Sequence, residues 1–352
     1  MYETRCYRSI KDDDLKEHWL YLQCGSDMTA FQAYDWYEML EEEYQCNTLK
    51  KMASQIMYIE VSSNEVPILI APLHIQKHTM GIGGFGYKKC VYFLGMKGYT
   101  DYLNLIYRHI NRAAVDCLFR TIKEHTGQSR CAFVQIPKDT KFAAILHEYE
   151  REGIAKQFNQ ENCVKVCFPE TADEYEAIVS KNLKSSLKRQ KNKYKREGID
   201  LACELIEGIC NDKSVSKRIA EIHNMRFEEK NRDNAAVRLS AAVARLRIVF
   251  DEIQYSMHHN KDTWLLLGKN RDEIIVYFYG LKDRNAIRIM QLGFAPEYAK
   301  YMPGNMTMMK FIRDNFERLS GFTMDFTRGE ERYKYELGGI QHKIVDYVVQ
   351  WI

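Results

Sequence analysis

The 352-residue sequence has no long apolar run and few prolines, and these absences narrow the class of protein. The longest apolar run covers residues 66–75, far short of the roughly 20 residues that a membrane-spanning helix needs. The opening segment MYETRCYRSIKDDD lacks the apolar region of a secretion signal. Six prolines and no low-complexity tract argue against long disordered segments. The sequence therefore predicts a folded, cytoplasmic protein without a membrane span.

Cysteine is present, but not in the spacing of a zinc or redox site. The ten cysteines include no C-x-x-C pair and have no histidine at ligand spacing, so we expect reduced thiols and no metal. A net charge of +3 is too small to indicate a nucleic-acid partner by itself. Apolar residues make up 45% of the chain and charged residues 28%, as in an ordinary globular protein. Because the chain is longer than one hydrophobic core usually supports, two domains are expected.

The first half has the pattern of an α/β domain that ends near residue 155. Phe31, Trp36 and Leu40 recur at helical spacing and predict an amphipathic helix. Further predictions are a hairpin of strands at 55–61 and 66–75, strands at 89–94 and 130–136, and helices at 108–125 and 142–152. The segment GIGGFG at residues 81–86 satisfies G-x-G-x-x-G, but a strand-like run follows it where a dinucleotide site requires a helix. We interpret it as a loop between strands.

A strongly basic helix is predicted over residues 172–196. Its segment KNLKSSLKRQKNKYKR has eight Lys or Arg in sixteen positions. Such a helix suits the phosphates of nucleic acid, a CoA moiety or an anionic surface. It is equally typical of a solvated helix whose cations favour the C-terminal end of the dipole. A long helical region is predicted next, over residues 214–258, with a break near residues 231–234.

The last hundred residues predict the order β-β-β-α-β. Strands at 263–268, 273–280 and 285–292 precede a helix at 305–319 and a strand at 322–327. Residues 303–307 open the helix after a proline–glycine break, so backbone N–H groups and the positive dipole end would suit a pyrophosphate. An ordinary helix start has the same pattern. Gly304 would let the backbone approach an anion, and Pro303 presets the helical φ.

One segment carries a family resemblance. YAKYMPGNMTMMKFIRDNFERLSGFTMDFTRGEERYKYELGG, residues 298–339, resembles the signature of GNAT acetyltransferases of the cellulose-biosynthesis type, with a Y-x-P-G segment opening a helix and DF-x-x-G-x-x-x-YK after the next strand. FQAYDWYEML and NLKSSLKRQKNKYKREG match further landmarks. The likeness extends more distantly to Fem-type peptidoglycan aminoacyltransferases. It implies an α/β (α+β) fold of two tandem GNAT-like domains, residues 1–155 and 156–352, with mixed, mostly antiparallel sheets flanked by helices.

The resemblance implies an acyltransferase that moves an acetyl or other acyl group from acyl-CoA to an amine or hydroxyl, with a small molecule, sugar or polysaccharide precursor as acceptor. The sequence lacks the Q/R-x-x-G-x-G/A phosphate loop of common GNAT enzymes. A Fem-type transferase that uses aminoacyl-tRNA on a cell-wall precursor therefore stays an alternative. A non-catalytic nucleic-acid-binding module, based on the basic helix, is the third. Apart from tRNA, no nucleic-acid partner is expected.

Acyl transfer requires a base, donors for the oxyanion and an acid for the thiolate. Asp325 is the first candidate base, with a pairing to Arg328 that holds the next loop as the alternative. Arg328 and Lys334 would lie near the thioester or an anionic acceptor, and the resemblance favours Lys334. Tyr333 and Tyr301 could donate a proton or simply pack.

The predicted cofactor-binding residues fall into two groups. Backbone groups at the end of the third strand would pair with pantetheine, and the helix start would bind phosphates. The residues are Gln291, Leu292, Gly293, Tyr301, Pro303, Gly304, Asn305, Met306 and Thr307. His223, between Ile222 and Met225, is interpreted as a packing residue.

Overall fold

The computed structural model describes residues 2–76, 90–96, 100–230 and 252–351. The chain divides into two compact units: Met1–Asn162 with Lys343–Ile352, and Cys163–His342. The glycine-rich segment at 81–86 and the break expected at 231–234 lie outside the described residues.

The first unit has a mixed set of strands. They are β1 (Tyr2–Tyr7), β2 (Ser54–Ser63), β3 (Val66–Gln76), β4 (Val91–Phe93), β5 (Ile106–Tyr107), β6 (Arg130–Pro137) and, from the end of the chain, β13 (Ile340–Gln350). Their order is β1-β2-β3-β4-β6-β13, and β5 pairs with β3. The first four are antiparallel neighbours, β4 and β6 are parallel, and β6 and β13 are antiparallel.

Helices of the first unit cover these strands. They are α1 (Asp13–Leu22), α2 (Tyr34–Cys46), α3 (Thr48–Ala53), α4 (Arg112–Thr126) and α5 (Lys141–Arg151), with a 3-10 turn at Ala30–Gln32. Leu118 and Ile122 of α4 belong to the same core as Leu69, Phe93 and Phe133 of the strands. The apolar face of α4 therefore packs on the strands of the first unit.

The second unit repeats the succession of strand pairings. Its strands are β7 (Ala155–Cys167), β8 (Leu201–Glu207), β9 (Thr263–Asn270), β10 (Glu273–Lys282), β11 (Ala286–Phe294) and β12 (Thr323–Arg328). They lie in the order β8-β9-β10-β11-β12-β7. β8 to β11 are antiparallel, β11 and β12 are parallel, and β12 and β7 are antiparallel.

Helices pack on both faces of these strands. They are α6 (Ala172–Ile178), α7 (Lys181–Glu197), α8 (Lys213–Lys230), α9 (Glu252–His259), α10 (Pro303–Asp314), α11 (Phe316–Leu319) and α12 (Arg332–Glu336), with a 3-10 turn at Pro296–Tyr301. Because side chains alternate along a strand, Leu266 packs with Phe311 of α10, whereas Leu265 packs with Ile222 of α8. Within the described ranges, no helix combines the length and apolarity that a bilayer span requires.

The predicted fold class, mixed and mostly antiparallel strands flanked by helices, is confirmed, and β9, β10, β11, α10 and β12 reproduce the expected β-β-β-α-β order. The single helix expected over residues 172–196 is wrong. The chain breaks after α6, where the Ser180 hydroxyl accepts from the N–H of Leu183 at 3.1 Å and starts α7. The N–H of Ser180 donates to the carbonyl of Glu336 at 2.9 Å, so a tertiary contact competes with helix continuation.

Candidate active site

The site begins where β11 and β12 separate. The two strands pair in parallel over residues 286–288 and 323–325, and β11 then continues beside β10 as far as Phe294. The register between β10 and β11 shifts by one residue at Met290, and such a β-bulge bends its strand. Gln291, Leu292 and Gly293 follow the bulge, beyond the part of β11 that pairs with β12.

α10 starts with backbone donors that have no partner inside the helix. Pro303 has no N–H, and the N–H of Met306 donates to the carbonyl of Met302 at 3.0 Å. Gly304 and Asn305 lie between them and carry the orphan N–H groups of the first turn. Within the described part of the chain, no side chain caps this helix, and Met302 before it adopts a left-handed conformation with φ of 52°. Open donors at the positive end of a helix dipole attract anions.

Thr307, also predicted to bind the cofactor, faces the interior. Its side chain is fully buried, and a Cβ added at Gly268 would lie 2.3 Å from its hydroxyl oxygen. Glycine at this position of β9 therefore lets α10 approach the sheet closely. The Thr307 hydroxyl finds no hydrogen-bond partner within the described part of the chain. The side chain packs against Gly268 of β9, and its role in cofactor binding stays a prediction.

A cationic groove runs along α7 and reaches Met302, the residue before α10. It has a volume of about 470 Å³, and its cationic side chains are Arg189, Lys193 and Arg196. Gln190 also lines it, and its buried side-chain oxygen accepts no hydrogen bond from the described residues. We call this feature the α7 groove. It places three cations beside the open start of α10.

Tyr301 anchors the turn between the groove and α10. Its hydroxyl donates to the carboxylate of Glu197 and lowers the pKa of that carboxyl. The ammonium of Lys193 lies 4.7 Å from the centre of the Tyr301 ring, and Tyr194 packs edge-on against it. Tyr301 therefore fixes the approach to the first turn of α10.

Asp325 is buried at the last paired position of β11 and β12, with 1% of its side chain exposed. Its carboxylate accepts from Arg288 at 2.9 Å and from the N–H of Thr327 at 2.8 Å. His342 lies 3.4 Å away, and Arg288 also contacts Asp283 at 2.8 Å. These contacts tie the carboxylate to β11 and β12 at the point where the two strands separate.

Lys334 is buried as well, and its ammonium donates hydrogen bonds to backbone carbonyls. It donates to the carbonyls of Phe326, Arg328 and Gly329 at 3.0, 2.7 and 3.1 Å, and it contacts Glu331 at 2.8 Å. Three carbonyls at the end of β12 thus share one cation. The Arg328 side chain is exposed.

Tyr333 packs edge-on against Phe326, with ring centres 5.8 Å apart. Burial raises the pKa of its hydroxyl, and the charge of Arg226 opposes this shift. The hydroxyl therefore stays protonated at neutral pH.

The sequence interpretation missed two side chains of α8 that reach β11. His223 is exposed, and its Nδ1 lies 3.1 Å from the side-chain nitrogen of Gln291. Arg226 donates to the carbonyl of Leu292 at 2.9 Å and lies over the ring of Phe294. A sequence signal exists, because residues three apart share a helix face. His223 and Arg226 flank the apolar face of α8, but the sequence does not indicate which strand their side chains contact.

Two groups of the predicted residues thus come together within this unit. Gln291 and Leu292 meet the α8 side chains at the free end of β11, Tyr333 packs against Phe326 of β12, and Tyr301 precedes the start of α10. Asp325 and Lys334 are buried and hold the end of β12 through their hydrogen bonds. Among the residues that the structure describes, no group of three or more metal-binding side chains occurs.

Residues 181–335 match the sequence model of the family described as "Acetyltransferase (GNAT) domain". No curated protein matches the chain in sequence. Among solved structures, FemX aligns with a TM-score of 0.63 at 11% identity, covering 99% of this chain and 97% of that one. A conserved protein of unknown function from Bacteroides thetaiotaomicron aligns with a TM-score of 0.56 at 8% identity, over 99% and 100% of the two chains.

The C-terminal domain of a putative lysylphosphatidylglycerol synthetase from Agrobacterium fabrum aligns with a TM-score of 0.51 at 9% identity, over 94% of this chain and 90% of that one. At such identities the alignments establish a shared fold. Taken with the family match, the separating strands and the open helix start, they show that the chain has a GNAT-like fold, with a GNAT-type acyltransferase domain over residues 181–335.

Proposed function

We propose that this protein transfers an acetyl or other acyl group from acyl-CoA to an amine or hydroxyl acceptor. The observation that carries the proposal is the open start of α10, where Gly304 and Asn305 present N–H groups beside the α7 groove. Two N–H donors at a helix start suit a pyrophosphate. Guanidinium and ammonium groups next to them suit a further phosphate. CoA carries both.

The corresponding helix of the first unit supports the assignment by contrast. α4 leads into β6, which pairs in parallel with β4, just as α10 leads into β12, which pairs in parallel with β11. The first turn of α4, however, is already occupied. The side chain of Asn111 accepts from the N–H of Ala114 at 3.0 Å, and Arg112 is bound to Glu152 at 2.5 Å. An anion would have to displace these contacts. We therefore assign the donor site to the second proposed domain, residues 156–352, and none to the first, residues 1–155.

The thioester would lie along the free part of β11. Backbone groups of Gln291, Leu292 and Gly293 would pair with pantetheine as an added strand does, which would bring the acyl group to the bulge at Met290. Tyr333 would supply the proton for the departing thiolate, since a tyrosine hydroxyl is protonated at neutral pH.

Asp325 and Lys334 would hold in place the strand ends that border the proposed thioester site. Both are almost fully buried and hold strand ends and loop carbonyls, so we propose that they fix its shape. The role of Asp325 as general base stays a prediction. Arg328, exposed at the end of β12, would meet an anionic acceptor.

For the acceptor we propose a sugar or polysaccharide precursor, acylated on nitrogen or oxygen. The support is the resemblance of residues 298–339 to GNAT acetyltransferases of the cellulose-biosynthesis type. Acyl-CoA as donor would place the reaction in the cytoplasm.

The α7 groove also supports a second donor. Its cations could bind the phosphates of an aminoacyl-tRNA, which would make the protein a Fem-type transferase acting on a cell-wall precursor. The two donors differ in the number of phosphates they bring, and binding measurements separate them.

Calorimetry of acetyl-CoA and longer acyl-CoAs tests the proposal. We expect saturable binding to the native protein and its loss in Gly304→Trp. A Cβ at Gly304 would make only an ordinary van der Waals contact, 3.8 Å from Phe278, so the backbone accepts a side chain there, and the bulk of an indole is expected to cover the helix start.

Asp314→Trp is the matched control, because Asp314 is exposed at the other end of α10. It should bind acetyl-CoA like the native protein. Absence of binding to any acyl-CoA, together with binding of an aminoacyl-tRNA, would replace the acyl-CoA proposal by the second one. Equal acetyl-CoA binding by Gly304→Trp would remove the α10 start from the site.

A further inference from the structure

A chain of hydrogen bonds links a buried tyrosine to the exposed ring of His223. The hydroxyl of Tyr277 donates to the side-chain oxygen of Gln291 at 2.9 Å. The side-chain nitrogen of Gln291 lies 3.1 Å from Nδ1 of His223. Tyr277 is fully buried, whereas His223 is exposed. The chain therefore runs from the core to the surface at the free end of β11.

Gly293 makes room for this chain. It lies opposite Tyr277 in the β10–β11 pairing, and a Cβ at this position would lie 2.5 Å from the Tyr277 ring. No other residue type leaves the ring where it is. The packing thus fixes the ring that carries the tyrosine hydroxyl, and Gln291 links this hydroxyl to Nδ1 of the imidazole.

The chain can run in either direction. When the Tyr277 hydroxyl donates, the Gln291 amide donates to Nδ1 of His223, and the neutral ring carries its proton on Nε2. When the hydroxyl accepts, the amide turns over and accepts from Nδ1, and Nε2 carries the lone pair. A hydroxyl both donates and accepts, so both tautomers of His223 are held in the same place.

This ring lies where the proposed function puts the acyl group. Gln291 directly follows the bulge at Met290, just beyond Arg288, the last residue of β11 that pairs with β12. On the next turn of α8, Arg226 contacts the carbonyl of Leu292 at 2.9 Å. The imidazole and the guanidinium thus border the same stretch of β11.

We propose that His223, in place of the buried and ion-paired Asp325, is the catalytic base of the acyl transfer, which rests on the proposed acyl-CoA function. The acceptor nitrogen or oxygen forms a bond to the thioester carbonyl carbon while its proton passes to Nε2 of His223. The C–S bond then breaks, and the CoA thiolate takes a proton from Tyr333. The imidazolium returns one proton to Tyr333 through solvent, so the proton count is unchanged at the end of each turnover.

Modification by diethyl pyrocarbonate, mapped by mass spectrometry, tests the location of the ring without a known acceptor. His223 should react in the free protein, and saturating acetyl-CoA should slow its modification about tenfold or more. Adenosine 3′,5′-bisphosphate, which lacks pantetheine and the acyl group, should leave it reactive. His259 of the same unit and His125 of the other are exposed and serve as internal controls, reacting alike in all samples.

Two results separate the possible failures. If calorimetry detects no acetyl-CoA binding, the acyl-CoA function falls and the base assignment falls with it. If acetyl-CoA binds but His223 reacts as fast as in the free protein, only the base assignment is overturned.

The rate of thiol release from acetyl-CoA, with water as acceptor, tests the chemistry. His223→Gln keeps a hydrogen-bonding side chain but takes up no proton, and it should lower the protein-dependent rate by on the order of 100-fold. It should still bind acetyl-CoA with the affinity of the native protein. His259→Gln is the matched control and should keep the native rate. Equal rates for His223→Gln and the native protein would overturn the assignment.

Discussion

Lys334 shows how one residue determines the end of a strand. Its ammonium is 3% exposed and donates to three backbone carbonyls. Removing the charge in Lys334→Met would leave those carbonyls without a donor. Hydrogen bonds to a charged group contribute about 1.5–3 kcal/mol each, and they are not additive. We expect Lys334→Met to lose about 3 kcal/mol of unfolding free energy, measured by urea denaturation.

Lys188→Met, an exposed position on α7, is the control and should be nearly neutral. If Lys334→Met is as stable as the native protein yet has no transferase activity, Lys334 acts on the substrate and not on the backbone.

Glu207 makes the stability of the fold depend on pH. Burial raises the pKa of its carboxyl, but hydrogen bonds from Lys282 at 2.8 Å and Arg318 at 2.6 Å outweigh this and lower the pKa overall. A carboxyl with a lowered folded-state pKa stabilises the fold above its unfolded value of about 4.3. This stabilisation is lost as the pH falls through the folded-state pKa.

Melting temperatures measured between pH 7 and pH 3 check the sign. Glu207→Gln should melt below the native protein at pH 7, and the difference should shrink toward pH 3. Glu317→Gln, at an exposed acid of α11, should show no such convergence. A constant difference at every pH would contradict the linkage.

At this scale the sequence predicts backbone sites better than side-chain sites. Pro303 and Gly304 mark a helix start by their own conformational preferences, and the start of α10 lies there. His223 follows the buried Ile222, and the apolar periodicity of α8 reports only which face is buried. Its partner Gln291 is 68 residues away. Such a contact depends on the strand register and the bulge, which local patterns do not encode.

Among the elements, α7 carries the charge that the proposal needs. Four exposed cations of this helix differ in position: Arg189 and Arg196 line the α7 groove, whereas Lys188 and Lys191 do not. If the groove binds a CoA phosphate, Arg189→Gln and Arg196→Gln should each weaken acetyl-CoA binding by about 1 kcal/mol, roughly fivefold. The two lysine variants should bind like the native protein.

Calorimetry at increasing salt distinguishes the donors. For acetyl-CoA, only the groove variants should show a reduced salt dependence. A polynucleotide that follows the whole helix would lose affinity in all four variants, and its logarithmic slope against salt would fall by about one for each phosphate contact removed. Equal effects of all four substitutions on acetyl-CoA would remove the groove from the proposed site.

Element prediction succeeded where residues are buried on a regular pattern. β9 and β10 are long buried runs next to turn residues, and both were predicted within two residues of their ends. β8 was not predicted, and of β7 the sequence indicated only the stretch from Cys163 to Cys167 as a strand. In β7 the stretch 156–162 is polar and half-exposed, and β8 alternates without a strongly apolar face. Their strand conformation depends on partners far along the chain, not on local propensity.

At the scale of the whole molecule, both units repeat one strand succession: four antiparallel strands, a parallel pair and a final antiparallel strand. The tandem arrangement was expected from the family resemblance and not from any repeat in the sequence. Layer architecture requires only matching apolar patterns, so the two copies are free to differ in every side chain that makes a site. The capped start of α4 and the open start of α10 are one such difference.

The first unit depends on the last residues of the chain. β13 pairs with β6 from Ile344 to Gln350, and Val349 is fully buried in the core of that unit. Local patterns cannot predict this pairing, because β6 ends more than 200 residues earlier in the sequence. Val349→Ala removes buried methyl groups and should cost about 2 kcal/mol. Its exposed neighbour Gln350 offers a control, Gln350→Ala, that should be nearly neutral.

Hydrogen exchange locates the effect. In Val349→Ala, the amides of β6 and β13 should exchange faster, since the opening of this unit becomes easier by the same free energy. In Gln350→Ala their exchange should match the native protein. If Val349→Ala leaves β6 protected, β13 does not stabilise the strand that it pairs with. If β6 loses protection, the first unit needs β13 for its full stability. Because β13 follows residues 163–342 in the sequence, the first unit is then complete only after the second has been synthesised.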